Sequence, residues 1–249
     1  MSEVTPYCDG RGKTEQVRDM FDNIAPAYDR LNRAMSFGLD VKWRRRAVET
    51  VKAFGARRIV DVATGTGDFA ISLAKMIPGA TVTGIDLSEN MVKIGQAKVE
   101  AQGLADRVGL CVADCMSAGA DCMSADAVTV AFGVRNFADI EGGLRAMRRM
   151  LRPGGMLCVL ELSTPVNPIV KPLYRLYAGG IIPLMGRLMS RDNRAYSYLP
   201  ESIEAVPQGS AMTRLMENVG FVRPSMTRLT LGVCTLYTAI NPNADETDN

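Results

Sequence analysis

The stretch IVDVATGTGD, Ile59 to Asp68, decides the fold of this chain, together with the apolar run 80–85 that delivers Asp86. Residues 58–62 form a β-rich run that stops at a loop holding Gly65 and Gly67, and a helical pattern starts from Asp68, which is placed to cap the first turn. A loop of this kind lets a ligand approach the backbone closely, because glycine has no Cβ in the way. Asp86 stands 86 − 67 = 19 residues after the second glycine. A carboxylate at the C-terminal end of the second strand can accept both hydroxyls of a ribose, with Leu87 beside it.

Two cofactor classes fit this arrangement. Gly65, Gly67 and Ala70 satisfy the G-x-G-x-x-G/A fingerprint of dinucleotide enzymes, a weak match by itself. Asp61 and Asp68 flank the loop, however, and two carboxylates repel a pyrophosphate but attract the ammonium and sulfonium of S-adenosylmethionine. Asp114 follows the apolar run 108–113, where a third strand should end and an adenine amino group could be read. The competing account is that Asp61 and Asp68 cap turns and Asp86 caps the next helix. The hexapeptide ADCMSA occurs at 113–118 and again at 120–125, too short a repeat to define a fold, and it makes Asp121 a competitor of Asp114.

Composition narrows the chemistry. A chain of 249 residues can bury a sizeable core as one α/β domain with additions. Its net charge of +2, without a long basic block, argues against a nucleic-acid partner. The absence of histidine excludes a Ser-His-Asp triad, histidine metal ligands and a histidine base. The six cysteines form no C-x-x-C pair, so they are read as reduced thiols and no metal site is expected. The polar N-terminus lacks an apolar signal core, which implies a cytoplasmic location.

Alternating strand and helix patterns predict a doubly wound, mostly parallel α/β sheet of the Rossmann-like type. Residues 1–13 read as a loose tail and 14–56 as an N-terminal helical lid, helical from Thr14 towards Ile24 and from Val41 to Phe54 with a connection between. The cofactor-binding core spans 57–163. Ser88 should cap a helix over 89–102, Arg152-Pro153-Gly154-Gly155 should turn tightly, and 222–231 with 233–240 should close the sheet as an antiparallel pair. Residues 241–249 read as a disordered acidic tail. The insertion 164–208 is not needed for cofactor binding. Within it, Lys171, Arg175, Arg187, Pro172 and Pro183 interrupt the apolar runs, so the segment does not span a membrane. Apolar faces flanked by cations suit a greasy substrate pocket, a shallow contact with anionic lipid, or a helical insertion packed on the core.

Several further segments carry a resemblance. YDRLNRAMSFGLDVKW (28–43), RMLRPGGMLCVLELS (149–163), AFGVRNF (131–137) and YSYLPESI (196–203) resemble the signatures of the UbiE/MenG/COQ5 family of quinone-biosynthesis C-methyltransferases, over most of residues 14–240. The departures are Leu31 for methionine, Asp40 for histidine, Met150 for valine, Arg152 for lysine, Ala118-Gly119-Ala120 for Leu-Pro-Phe, and Val206 before Pro207 where a histidine or aromatic residue is frequent.

The resemblance implies methyl transfer from S-adenosylmethionine to a ring carbon of a polyprenylated quinol, either demethylmenaquinol or 2-polyprenyl-6-methoxy-1,4-benzoquinol. By position, Thr66, Asp86, Asp114 and Cys115 match the family's cofactor contacts, and Ala131 stands at a fifth, where only its backbone can serve. Ionising a phenol of pKa about 10 near pH 7 costs about 4 kcal/mol, which a base or a cation must offset. Arg135 is the expected cation, with Asn136 orienting it. Tyr28, Tyr196, Tyr198 and Glu161 are the candidate proton acceptors or positioning groups. A membrane-surface contact on the inner face and a homodimer are both compatible with this reading. Two other readings stay open: an NAD-dependent oxidoreductase and a non-catalytic S-adenosylmethionine-binding protein.

Overall fold

The computed structural model describes residues 4–7, 9–117, 124–181 and 193–243. Seven strands form one sheet: β1 (Arg58–Val62), β2 (Thr81–Asp86), β3 (Val108–Val112), β4 (Ala125–Ala131), β5 (Leu151–Leu162), β6 (Val222–Leu229) and β7 (Cys234–Ile240). Their spatial order is β3-β2-β1-β4-β5-β7-β6, parallel from β3 to β5, with β7 antiparallel to both β5 and β6. Val60, Val62, Val128 and Val130 are buried in adjacent central strands, as expected of a parallel sheet covered on both faces. The connection from β1 runs to β2 on one side, and β4 lies on the other. A crevice therefore opens at the C-terminal ends of β1 and β4, where ligands bind in such sheets.

Nine helices surround the sheet in the described residues: α1 (Lys13–Ile24), α2 (Tyr28–Met35), α3 (Leu39–Phe54), α4 (Asp68–Met76), α5 (Glu89–Ala101), α6 (Ile140–Met150), α7 (Val170–Leu176), α8 (Asn193–Ala205) and α9 (Ser210–Asn218). Val48 and Val51 of α3 and Leu73 of α4 pack in one core, while Leu144 of α6 and Met212 of α9 pack in the other. Each such side chain contributes about 1.5–3 kcal/mol on burial. A third cluster joins Met20 and Ile24 of α1, Leu31 and Met35 of α2, and Met91 of α5. It seats the N-terminal helices against α5, on the β1–β3 half of the sheet.

The structure corrects several expectations. Residues 28–35 form helix α2 rather than a connection, because Leu31 and Met35, one turn apart, both find the buried cluster. The turn comes after it, with Phe37 at φ 51° and Gly38 at φ 73°. The tight turn expected at residues 152–155 is absorbed into β5 as a bulge, since Ala125 faces Leu151 but Ala127 faces Met156. Asp68 does not cap α4; Gly67 occupies that position and no side chain bonds the first turn. Ser88 does cap α5, accepting the Met91 N–H. The N-terminal stretch is not loose throughout, as the Tyr7 N–H donates to Gln16 at 2.7 Å and Arg11 pairs with Asp9, Glu15 and Asp19. No helix among the described residues is long and apolar enough to cross a membrane. Asp121, Arg187 and the tail 244–249 lie outside the described residues.

Candidate active site

The loop after β1 is shaped by the residue that ends β2. The Gly65 N–H donates to Asp86 Oδ2 at 2.7 Å, and the Ser88 N–H donates to Oδ1 at 2.9 Å. Gly65 holds φ 56°, a left-handed conformation that costs glycine little, and a Cβ there would meet open space. Burial pushes the Asp86 carboxyl above its ordinary value, against the pull of the Ser88, Gly65 and Leu87 N–H groups. Two non-glycine residues at the strand ends, Ala63 after β1 and Phe132 after β4, also adopt positive φ, 51° and 61°. Such strain clusters at binding sites because the surrounding structure must enforce it.

These elements enclose a cavity of about 210 Å³. Its floor holds Gly65, Asp86, Leu87, Asp114 and Cys115, with Ala131 and Asn136 from the β4 side and Phe21 of α1 overhead. Most of the expected cofactor residues therefore share one cavity. Asp114 Oδ1 accepts the Met116 N–H at 2.9 Å. The Cys115 thiol is pushed up to about 12 by burial and by the neighbouring Asp114 charge, so it stays protonated.

Asp61, Thr66 and Gly67 do not line that cavity. Asp61 Oδ2 accepts from Thr64 Oγ1 at 2.7 Å and Oδ1 from Thr129 Oγ1 at 2.6 Å, and burial pushes its carboxyl up to about 6. Asp68 pairs with Lys98 and lies 3.9 Å from Arg44. The sequence argument from two free loop carboxylates is thus revised, because one is consumed by threonine hydroxyls and the other is neutralised by a lysine. Thr66 Oγ1 donates to Asp29 Oδ1 at 2.6 Å, and Lys98 donates to Asp29 Oδ2 at 2.9 Å, which fastens α2 to the loop. Gly67 serves the turn itself, at φ 76°.

A second cavity, about 90 Å³, adjoins the first. Tyr28 and Phe132 belong to both walls. Its lining includes Trp43 and Arg44 of α3, Arg135, Tyr174 and Tyr177. Arg135 is 8% exposed and its Nη1 donates to Glu161 Oε1 at 2.7 Å and to the Phe132 carbonyl, while its Nε has no partner among the described residues. Burial works against its charge, but the Glu161 carboxylate keeps it protonated.

Three expected roles change accordingly. Glu161, 2% exposed, accepts Arg135 Nη1 and the backbone N–H groups of Arg135 and Leu162, so it is a clamp for Arg135 rather than a free base. Asn136 Oδ1 has no hydrogen-bond partner among the described residues and the guanidinium bonds Glu161 and the Phe132 carbonyl instead, so Asn136 does not orient it. Burial raises the Tyr28 phenol above its usual value despite Arg135, Arg44 and an Asn32 hydrogen bond, which makes it a donor, not a proton acceptor, near neutral pH. The Tyr196 side chain lies outside what the structure describes. Tyr198 is buried in the α1–α2 cluster.

Residues 10–241 match the model of the ubiE/COQ5 methyltransferase family. The chain is a member of that family. It is 46% identical over 237 residues to a demethylmenaquinone methyltransferase of Bacteroides fragilis, covering 95% of this chain and 97% of the relative. It is 44% identical to a ubiquinone/menaquinone biosynthesis C-methyltransferase UbiE of Geotalea daltonii, covering 91% and 96%. The fold is similar to that of a SAM-dependent methyltransferase from Aquifex aeolicus, with a TM-score of 0.57 at 18% identity, over 78% of this chain and 88% of that one. For a member of this family, methyl transfer replaces the dinucleotide oxidoreductase reading.

Sequence reasoning missed the pair Asp40–Arg44. Asp40 Oδ2 accepts from Arg44 Nη1 at 2.6 Å, and the Arg44 guanidinium lies 5.4 Å from the Phe132 ring centroid. The signal was present as opposite charges one helical turn apart, i to i+4, beside the sole tryptophan. Phe132 lies within AFGVRNF but carries no role in that reading, and Tyr177 carries no motif; both are found at the cavity only through the fold.

Proposed function

We propose that this protein methylates a ring carbon of a polyprenylated quinol, with S-adenosylmethionine as donor and demethylmenaquinol as the preferred acceptor. The observation that carries this reading is the sharing of Tyr28 and Phe132 by two cavities, one suited to a nucleoside and the other to a flat ring. The names of the Bacteroides and Geotalea relatives support the same chemistry.

The first cavity fits the donor. In this reading Asp86 takes the ribose hydroxyls, Leu87, Asp114 and Cys115 the adenine, and Gly65 with Ala131 the amino-acid end, since all of them line the first cavity. S-adenosylmethionine supplies, when bound, a methyl group made electrophilic by its sulfonium. In the second cavity Arg135 offsets part of the roughly 4 kcal/mol needed to ionise a quinol hydroxyl at neutral pH. Glu161 fixes that cation in place. Tyr28 donates its hydroxyl hydrogen at the junction, and the aromatic lining excludes water while the reacting groups align.

We also place the protein at the cytoplasmic surface of the membrane that holds its prenylated substrate. Ile169, Leu173 and Leu176 are 76%, 65% and 71% exposed around α7, Phe37 stacks near Tyr177 at 5.7 Å, and Lys171 and Arg175 lie among them. Tyr174 and Tyr177 of the same segment line the acceptor cavity, so a tail leaving that cavity meets the apolar face.

Competition between the two quinols tests the substrate assignment. With demethylmenaquinol and 2-polyprenyl-6-methoxy-1,4-benzoquinol of equal tail length at equal concentration, the methylated naphthoquinol should dominate. Dominance of the benzoquinol product would reverse the preference.

A further inference from the structure

We propose that Arg44 recognises the second ring oxygen of a 1,4-dioxygenated aromatic acceptor, while Arg135 takes the first. The inference rests on the quinol reading above. Arg44 and Arg135 line the same cavity, one from helix α3 and the other from the 3-10 turn Val134–Asn136 after β4. Each is 8% exposed and held by a buried carboxylate, Arg44 by Asp40 at 2.6 Å and Arg135 by Glu161 at 2.7 Å.

In both pairs the bond is made through Nη1. Among the described residues, Nη2 and Nε of each guanidinium make no hydrogen bond. Arg135 Nε is a buried donor with no partner among the described residues, and such a donor calls for an acceptor that the protein does not supply. Each guanidinium has a planar fork of donors, and two such forks in one cavity match a ring that carries two oxygens better than a ring with one. Both cations also favour the ionised form of the Tyr28 phenol, so a phenolic oxygen at this junction feels both. Phe132 lies under Arg44 and meets Trp43 edge-on at 6.2 Å, which gives the slot an aromatic wall for a flat ring. The carboxylates neutralise the cations' net charge, so the pocket accepts a neutral diol as well as its monoanion.

The test is calorimetric titration of the full chain, kept anaerobic and reducing, with 1,4-naphthoquinol and with 1-naphthol, no methyl donor being required. Trp43, the only tryptophan of the chain, lies in this cavity, so quenching of its emission reports that the ring has entered. The wild type should bind the diol about tenfold or more tighter than the mono-ol, since a site built to bond a hydroxyl discriminates against its absence. Arg44→Ala should reduce that ratio to below about threefold with little change for 1-naphthol, and Arg44→Lys should restore part of it.

Arg44→Ala leaves Asp40 with Ser36 and Arg33 but without its closest cation, so the double variant Asp40→Asn/Arg44→Gln provides the same test in a neutral pair. Retention of the tenfold preference in a folded variant, or its absence from the wild type, overturns the proposal. A wild type that methylates quinol without any Arg44-dependent preference overturns this inference alone. A wild type with that preference but no methyl transfer overturns the methylation reading and leaves the recognition standing.

Discussion

The Gly65 backbone N–H donates to Asp86 Oδ2 at 2.7 Å, so the carboxylate that ends β2 also fixes the loop that follows β1. The two halves of the cofactor cavity are therefore set against each other by one side chain. Asp86→Ala should weaken S-adenosylmethionine binding by roughly 1–3 kcal/mol through the loss of charge-assisted bonds. Calorimetry on a variant with native circular dichroism measures it. Unchanged affinity would show that the ribose lies elsewhere.

The Arg135–Glu161 pair separates structure from chemistry. Removing one partner of a buried pair costs about 3–5 kcal/mol of stability, so Arg135→Ala should melt early as well as lose turnover by about 10²–10³. The double variant Arg135→Met/Glu161→Leu should recover much of the melting temperature and none of the turnover. Recovery of both would reduce Arg135 to a brace.

Asp61 gives stability a pH dependence of definite sign. Its carboxyl is raised from an ordinary 3.8 to about 6 by burial, so the folded state holds a proton that the unfolded state has released. That contribution is complete below pH about 4 and is lost as pH rises through about 6, on the order of 3 kcal/mol for two units. Denaturant unfolding of wild type and Asp61→Asn at several pH values should give a difference that shifts against the wild type from pH 4 to 7. A difference independent of pH would contradict the assignment.

Association with lipid should be reversible and charge-dependent. Lys171 and Arg175 can each add about 1 kcal/mol at an anionic surface, and Leu173 and Leu176 add apolar contact. Flotation with anionic vesicles should exceed that with neutral ones at low salt and fall in Leu173→Glu. Equal recovery from both vesicle types would remove the electrostatic part.

The sheet was readable because its signals are local. Valine- and isoleucine-rich runs, the glycines of the first loop, and the Ser88 cap each act within a few residues. The site was readable only where it follows strand ends, as with Asp86, Asp114 and Arg135. Helix α2 escaped notice because Leu31 and Met35 acquire their apolar face only from Met20, Ile24 and Met91, far away in sequence. The hydrogen bonding of Asp61 is illegible for a similar reason, since Thr129, which donates to it, comes from β4. The acceptor cavity draws on α2, α3, the turn after β4, β5 and the α7 region, and no spacing rule joins these.

Donor and acceptor meeting at Tyr28 and Phe132 is the central claim, and it is tested most directly by following the transferred group itself. Purified protein incubated with trideuteromethyl-labelled S-adenosylmethionine and demethylmenaquinol, quenched within one turnover and analysed by mass spectrometry, should yield a quinol carrying one labelled methyl on a ring carbon next to a hydroxyl-bearing carbon. Label on oxygen, or a quinol left unlabelled by a folded protein that binds the donor, would contradict it.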